Sequence, residues 1–170
     1  MPGMTLILGI DPGSRITGYG VIRQVGSRNE FVACGALKVG DEDMTTRLQE
    51  IYKGIRAVIA THLPLECAIE KVFLGKSADS ALKLGQARGV AIVAAANSGL
   101  SIAEYSARQV KLAVVGTGAA DKAQVSTMVQ AMLAISEPST ADVSDALAVA
   151  LCHGQVQRSA LRLVVAGVRR

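Results

Sequence analysis

Cysteine is scarce in this 170-residue sequence and occurs only as Cys34, Cys67 and Cys152. An odd number of cysteines in apolar surroundings, without Cys-x-x-Cys spacing, argues against a disulfide framework and against a zinc site. We therefore expect three reduced thiols in the core of a cytoplasmic protein.

Long hydrophobic runs are also missing. The longest clean apolar stretch, residues 90–96, is far shorter than the roughly 20 residues that cross a bilayer as a helix. The sequence opens without the basic leader and cleavage site of a secretory signal. Both features predict that the protein has no membrane partner.

The composition favours one compact domain with an anionic partner. Half of the residues (50%) are hydrophobic, which is enough for a real core at this length. The chain has 18 basic and 14 acidic residues, a formal net charge of +4. This basic excess favours nucleic acid as the partner without identifying it.

The spacing of apolar residues predicts an α/β fold, a mixed five-stranded sheet flanked by helices. Short turns join the first three strands, so these are expected to be antiparallel, whereas the helix before the fourth predicts that it lies parallel to the first. The predicted strands are residues 5–11, 17–25, 30–38, 65–72 and 100–105, and the predicted helices are residues 44–59, 78–97, 107–114, 122–135 and 141–153.

The end of the chain is expected to differ from the rest. Gly154 is a typical residue just past a helix end, so it is expected to stop the last helix. Residues 1–156 would then form one domain. Residues 157–170 contain four arginines and no acid, and they are expected to be either a terminal helix or a mobile basic tail.

Four acidic residues fall where the predicted fold brings distant segments together. Asp11 ends the first strand, and Glu70 nearly ends the strand placed parallel to it. The carboxyl ends of adjacent parallel strands meet at one sheet edge, where α/β folds commonly bind ligands. Asp142 and Asp145 are three residues apart at a helix start, so they share a face that could close over that edge.

Four carboxylates in one cleft would raise each other's pKa unless cations neutralised them. Their oxygens suit Mg²⁺ or Mn²⁺, and two such ions about 4 Å apart can bind the attacking and the leaving oxygen of a phosphodiester. Plainer interpretations stay open. Asp11-Pro12-Gly13 alone could be an Asx turn, and Asp142 or Asp145 alone could be a helix-start residue.

Several stretches resemble the RuvC family of bacterial Holliday-junction resolvases, in unbroken order from about residue 4 to residue 155: LGIDPGSRITGYGVI, AIEKVFLGKSADSALKLGQARGVAI, YSARQVK with GTGAADK, and ADVSDALAVALCH. The resemblance implies a ribonuclease H-like fold and a homodimer that nicks two symmetric strands of a four-way DNA junction, leaving 5′-phosphate and 3′-hydroxyl ends. It implies that Mg²⁺ is the cofactor, that Mn²⁺ substitutes, and that two ions bind per active site with DNA. It also implies a branch-migration motor of the RuvA and RuvB type as partner.

The same matching assigns roles to individual residues. The catalytic and metal-binding acids of the family fall on Asp11, Glu70, Asp142 and Asp145. Lys111 and Lys122 match lysines that the family places near the active site, and together with Lys76 and Arg108 they are expected to hold phosphates of the DNA, although any one lysine alone is by default a solvated surface charge. Phe73 corresponds to an aromatic residue that stacks on an unpaired base, although a core role stays open. Gly85 and Gly89 lie on the helix around which the family dimerises, although small residues at this spacing also occur in packing within one chain.

Other signals are weaker. Gly116-Thr117-Gly118 followed by Lys122 lacks the Walker spacing, so ATP binding is not expected. His62 and His153 lie near predicted helix ends, where capping or the helix dipole explains them. A sugar kinase with the same opening motif would need a second lobe and a much longer chain. An RNA-directed nuclease of the same fold and a junction-binding protein without activity stay as alternatives.

Overall fold

The computed structural model describes residues 3–72, 77–136 and 140–167. Phe73 and Lys76, two of the predicted DNA contacts, lie outside these residues. The strands are β1 (Met4–Asp11), β2 (Ile16–Val25), β3 (Arg28–Lys38), β4 (Glu66–Glu70) and β5 (Ser101–Tyr105). The helices are α1 (Met44–His62), α2 (Ala78–Asn97), α3 (Ala107–Val115), α4 (Lys122–Leu133) and α5 (Ala141–Gly167).

The five strands form one mixed sheet in the order β3-β2-β1-β4-β5. The β1–β2 and β2–β3 pairs are antiparallel, and the β1–β4 and β4–β5 pairs are parallel. This topology confirms the prediction, because the hairpin-linked strands are the antiparallel ones and the helix-linked strands are the parallel ones. β1 is the central strand, which explains why its residues are apolar on both faces.

The two faces of the sheet carry separate hydrophobic cores. One face packs against α1 and α2, through residues such as Leu8, Ile10 and Ile55. The other packs against α3, α4 and α5, through residues such as Ile7 and Leu147. Because side chains alternate along a strand, Asp11 lies on the same face as Ile7, beneath α5.

Two glycines allow α5 to lie directly on the sheet. A Cβ atom added at Gly9 would lie 2.0 Å from the carbonyl oxygen of Ala146, and one added at Gly18 would lie 2.1 Å from that of Asp142. Any side chain at either position would therefore push the helix away. Gly18 pairs with Asp11 across the β1–β2 ladder, so this close approach brings the start of α5 next to Asp11.

The predicted end of the last helix is wrong. α5 continues through Gly154 to Gly167, so the terminal-helix alternative is correct for residues 157–167. Gly154 serves for close packing: its carbonyl oxygen accepts a hydrogen bond of 2.7 Å from the Gln24 side chain, and an added Cβ would lie 2.7 Å from Gln24 Nε2. The division into a domain and a tail at residue 157 stays a prediction.

The three cysteines are unpaired in the structure. Cys34, Cys67 and Cys152 are free thiols, and the last two are buried. In the part of the chain that the structure describes, no helix combines the length and the hydrophobicity that a bilayer crossing needs.

Candidate active site

Asp11 is followed by a turn whose hydrogen bonds come from Thr17 and Arg47. The Thr17 hydroxyl donates a 3.0 Å hydrogen bond to the carbonyl oxygen of Gly13 and accepts a 3.3 Å bond from its amide. Arg47, a buried residue of α1, donates from its guanidinium group to the carbonyl oxygen of Ser14. The turn therefore does not need the Asp11 carboxylate as an Asx-turn acceptor, which leaves this group for other contacts.

Glu70 reaches the same sheet edge through strand register. Ile69 of β4 lies beside Ile10 of β1 in the parallel ladder, so Glu70 and Asp11 are the next residues on neighbouring strands. Parallel neighbours in register point their side chains to the same face. Both carboxylates thus lie on the face that α5 covers, as the sequence predicts.

The start of α5 supplies the other two acids. Asp142 is in the first turn of the helix, where a negative charge is favoured by the helix dipole. Asp145 lies one turn further on. Asp11, Glu70 and Asp145 line one open cavity of about 260 Å³. Asp142 is outside the residues that line this cavity, although its charge still acts on Asp11.

The clustering of acids changes their protonation. Burial and the charges of Asp145, Glu70 and Asp142 raise the pKa of Asp11 from its ordinary value of 3.8 to about 8, although Lys122 opposes this shift. Burial and Asp145 also raise the pKa of Glu70, with Lys122 and Lys111 acting in the opposite direction. The structure therefore holds more negative charge in this cleft than its own cations neutralise.

Two lysines complete the cavity wall. Lys122 Nζ lies 3.3 Å from Asp145 Oδ2, and this contact raises the pKa of Lys122. Lys122 is the first residue of α4, whose start is fixed because Asp121 and Gln124 form a reciprocal capping box. Lys111, one helix earlier, lines the cavity as well. The structure therefore brings both lysines to the acids.

Arg108 is in a different position. It is exposed on α3 and its side chain packs over Gly118, where an added Cβ would lie 2.7 Å from Arg108 Cγ. It is not among the residues that line the cavity. Its predicted contact with DNA stays a prediction.

The four acids have donor atoms that suit a divalent cation, but their side chains do not form a ready coordination site. All four offer hard carboxylate oxygens, and a cation would neutralise the acidic charges that, after burial, contribute to the raised pKa of Asp11. Within residues 3–72, 77–136 and 140–167, however, no three acidic, histidine or cysteine side chains are already arranged to hold an ion. The cleft thus has the donors for Mg²⁺ without a closed coordination sphere.

A buried polar network at the middle of α5 was not predicted. His153 Nδ1 lies 2.7 Å from the Tyr105 hydroxyl, and its Nε2 lies 2.6 Å from a Glu66 carboxylate oxygen that also accepts a bond from Gln157. The helix-end interpretation of His153 is wrong because α5 continues past it. Glu66, Tyr105 and His153 are far apart in sequence, so no local pattern indicates that they meet.

Comparison with known proteins gives one consistent result. The model of the family "Crossover junction endodeoxyribonuclease RuvC" matches residues 7–153. A RuvC of Marinobacter nauticus is 57% identical over 164 residues, which cover 96% of this chain and 94% of that protein. A RuvC of Pseudomonas paraeruginosa is 55% identical over 167 residues, which cover 98% and 96%.

The solved structures agree with the sequence relatives. A structure of T. thermophilus RuvC in complex with Holliday junction substrate matches with a TM-score of 0.87 and 31% identity. The match covers 92% of this chain and 96% of that one. The likeness therefore extends over nearly the whole of both proteins.

Proposed function

Because the chain belongs to the family of RuvC crossover junction endodeoxyribonucleases, we propose that its acidic cleft is the site where this enzyme hydrolyses phosphodiester bonds of DNA. The protein is a nuclease with a ribonuclease H-like fold that resolves Holliday junctions. Asp11, Glu70, Asp142 and Asp145 are proposed as its catalytic residues.

One observation carries the assignment of the site. Burial, together with the charges of acids from β4 and α5, raises the pKa of Asp11 on β1 to about 8. A fold that only needed solubility would separate these charges, because each shifted carboxylate costs stability. Perturbed acids in a cleft are instead typical of a functional site.

The family implies dependence on a divalent metal, and the oxygen donors of the cleft fit Mg²⁺, with Mn²⁺ as a substitute. Two ions held by the four acids would supply the positive charge that stabilises the phosphate in an in-line displacement. The chain's own part is to hold the carboxylates at one sheet edge. Lys122 and Lys111 add positive charge on the side of α3 and α4, where they would attract the DNA backbone.

The segment after Glu70 is proposed to contact the junction itself. Phe73 and Lys76 follow Glu70 within six residues of sequence. Phe73 would stack on an unpaired base, and Lys76 and Arg108 would contact phosphates. The cut is proposed to leave 5′-phosphate and 3′-hydroxyl ends.

A homodimer is proposed to form around α2. Gly85 and Gly89 are exposed, and a Cβ added at either would meet nothing within 4 Å. Packing within the chain therefore does not account for these glycines. On the same helix, Leu82 is 70% and Val93 is 50% exposed, so an apolar stripe with small residues at its centre faces outward. A two-fold dimer would present one cleft to each of the two equivalent strands of a junction.

Family membership also supports two proposals that the chain itself does not address. One is a branch-migration motor of the RuvA and RuvB type as a partner on the junction. The other is a cytoplasmic location.

A cleavage assay with matched substrates tests the proposal. The purified protein would be incubated with a synthetic four-way junction, a linear duplex of the same sequence and an RNA–DNA hybrid, each with Mg²⁺ or with a chelator. We expect paired nicks in the junction alone and only with the metal. Cleavage of the hybrid alone would indicate an RNA-directed nuclease, and binding without nicks would indicate a junction-binding protein.

A further inference from the structure

Arg88 of α2 connects the ends of two strands next to the acidic cleft. Its Nε donates a 3.0 Å hydrogen bond to the backbone carbonyl oxygen of Glu70. Its Nη2 lies 2.7 Å from an oxygen of Glu104 on β5. The Arg88 side chain is only 18% exposed, whereas that of Glu104 is 43% exposed. A planar guanidinium group can serve both acceptors at once, which an ammonium group on a flexible chain does less well.

The strand register shows which part of Glu70 this contact controls. Glu104 pairs with Ile69, and Tyr105 pairs with Glu70. Since side chains alternate, Glu104 faces α2, whereas the Glu70 carboxylate faces α5 on the opposite side of the sheet. Arg88 therefore contacts the backbone of Glu70 from behind and does not enter the cleft.

Arg88 contacts the backbone where the pairing of β4 with β1 ends, while Glu70 stays paired with Tyr105 of β5. The β1–β4 ladder ends at Ile69, so Glu70 lies beyond it. The amide of the next residue, Lys71, still donates a 2.7 Å hydrogen bond to the carbonyl oxygen of Tyr105. The pairing with Tyr105, the Lys71 amide bond and the side-chain bond from Arg88 all act on the end of β4, and of these three the bond from Arg88 is the one that comes from α2.

We propose that Arg88 is a positioning residue that sets the place of the Glu70 carboxylate and couples it to α2. The inference rests on the proposed function, since it assigns Glu70 to the catalytic cleft. Arg88 is flanked along α2 by Gly85 and Gly89, the centre of the proposed dimer face. A shift of α2 on dimerisation would therefore reach the backbone of Glu70 through Arg88.

The test compares three variants of the full-length protein. Arg88→Gln removes both the positive charge and the planar guanidinium group that donates to two acceptors. Arg88→Lys keeps only the positive charge. Lys83→Gln is the matched control, because Lys83 forms an exposed ion pair with Asp79 on the same helix. Three properties would be measured for each variant: amide hydrogen exchange of residues 66–72, Mn²⁺ binding by calorimetry, and single-turnover junction cleavage as a function of Mg²⁺ concentration.

We expect Arg88→Gln to speed exchange at the end of β4 and to weaken Mn²⁺ binding by about 10-fold, within the range found for residues that orient metal ligands. The Mg²⁺ concentration for half-maximal cleavage should rise by a similar factor, while junction binding without metal stays unchanged. Arg88→Lys should lie between Arg88→Gln and the wild type, and Lys83→Gln should match the wild type.

Unchanged Mn²⁺ binding and exchange in a folded Arg88→Gln protein would overturn the positioning role. An Arg88→Lys protein equal to the wild type in all three measurements would also overturn it, because the guanidinium group would then be unnecessary. Failure of the proposed function is separate. A wild-type protein that binds Mn²⁺ but does not cut junctions would refute that function, whereas the exchange and Mn²⁺ data would still decide the role of Arg88.

Discussion

Replacing Asp11 with asparagine should stabilise the metal-free protein at alkaline pH. The folded state holds a proton on Asp11 up to about pH 8, whereas the unfolded chain releases it near 3.8. Between these values the folded state binds more protons than the unfolded state, so the free energy of unfolding falls as pH rises. Asparagine has almost the same shape as aspartate and carries no charge, so the free energy of unfolding of the variant does not fall with pH for this reason.

The pKa shift of Asp11 sets an upper limit on the stability that Asp11→Asn gains. A pKa shift corresponds to about 1.4 kcal/mol per unit, so the change from 3.8 to about 8 gives a limit of about 6 kcal/mol at high pH. The cleft is open to solvent, and a small rotation of the side chain would rehydrate the carboxylate. We therefore expect Asp11→Asn to gain about 1–3 kcal/mol relative to the wild type between about pH 5 and about pH 8.5.

Urea unfolding in the presence of a chelator would measure this difference at the two pH values. Mg²⁺ should then stabilise the wild type, because it binds the folded state, and should have a smaller effect on Asp11→Asn. Asp41→Asn is the control, because Asp41 is an exposed acid whose side chain is 86% accessible. Equal pH dependence in the wild type and in Asp11→Asn would refute the reasoning, since Asp11 would then not lie in a desolvated acidic cleft.

Three further changes separate the roles of the other residues. Lys122→Ala should slow junction cleavage by about 10-fold or more in single-turnover assays, because the cation 3.3 Å from Asp145 is lost, while the thermal midpoint changes little. Phe73→Ala should weaken processing by the loss of one stacked base, about 1–3 kcal/mol, measured as the cleavage rate at low protein concentration. Gly89→Leu should keep the monomer folded, because an added Cβ meets nothing within 4 Å, and should shift sedimentation from dimer to monomer. A Gly89→Leu protein that stays dimeric would place the interface elsewhere.

The sheet topology and the meeting of Asp11 with Glu70 could be predicted because their signals are local. The turn at Pro12-Gly13 and the two-residue turn at Gly26-Ser27 separate strands that can only be antiparallel. An acid at the end of an apolar run, as at Asp11 and Glu70, marks a strand end that meets solvent. The helix between the two strands predicts that they are parallel. Parallel pairing alone then places Asp11 and Glu70 at the same edge of the sheet.

Other contacts could not be predicted because they join residues with no pattern between them. Arg88 lies in a stretch that draws attention for its glycines, and nothing in the sequence indicates that its guanidinium reaches Glu70. Gly154 has the residue type of a helix stop, yet its lack of a side chain serves contact with Gln24. The same residue type thus has two physical uses, and only the tertiary neighbour distinguishes them.

The position of α5 shows how the fold produces the charge cluster. Helices usually pack against a sheet through side chains, but here the backbone of the helix lies over Gly9 and Gly18 without side chains between them. This contact lowers Asp142 and Asp145 toward Asp11, and their charges contribute to its raised pKa. A larger residue at Gly18 would lift the start of α5, separate the acids and return the pKa of Asp11 toward its ordinary value. The two glycines are therefore as necessary to the cleft as the carboxylates, although they offer no chemical group to the reaction.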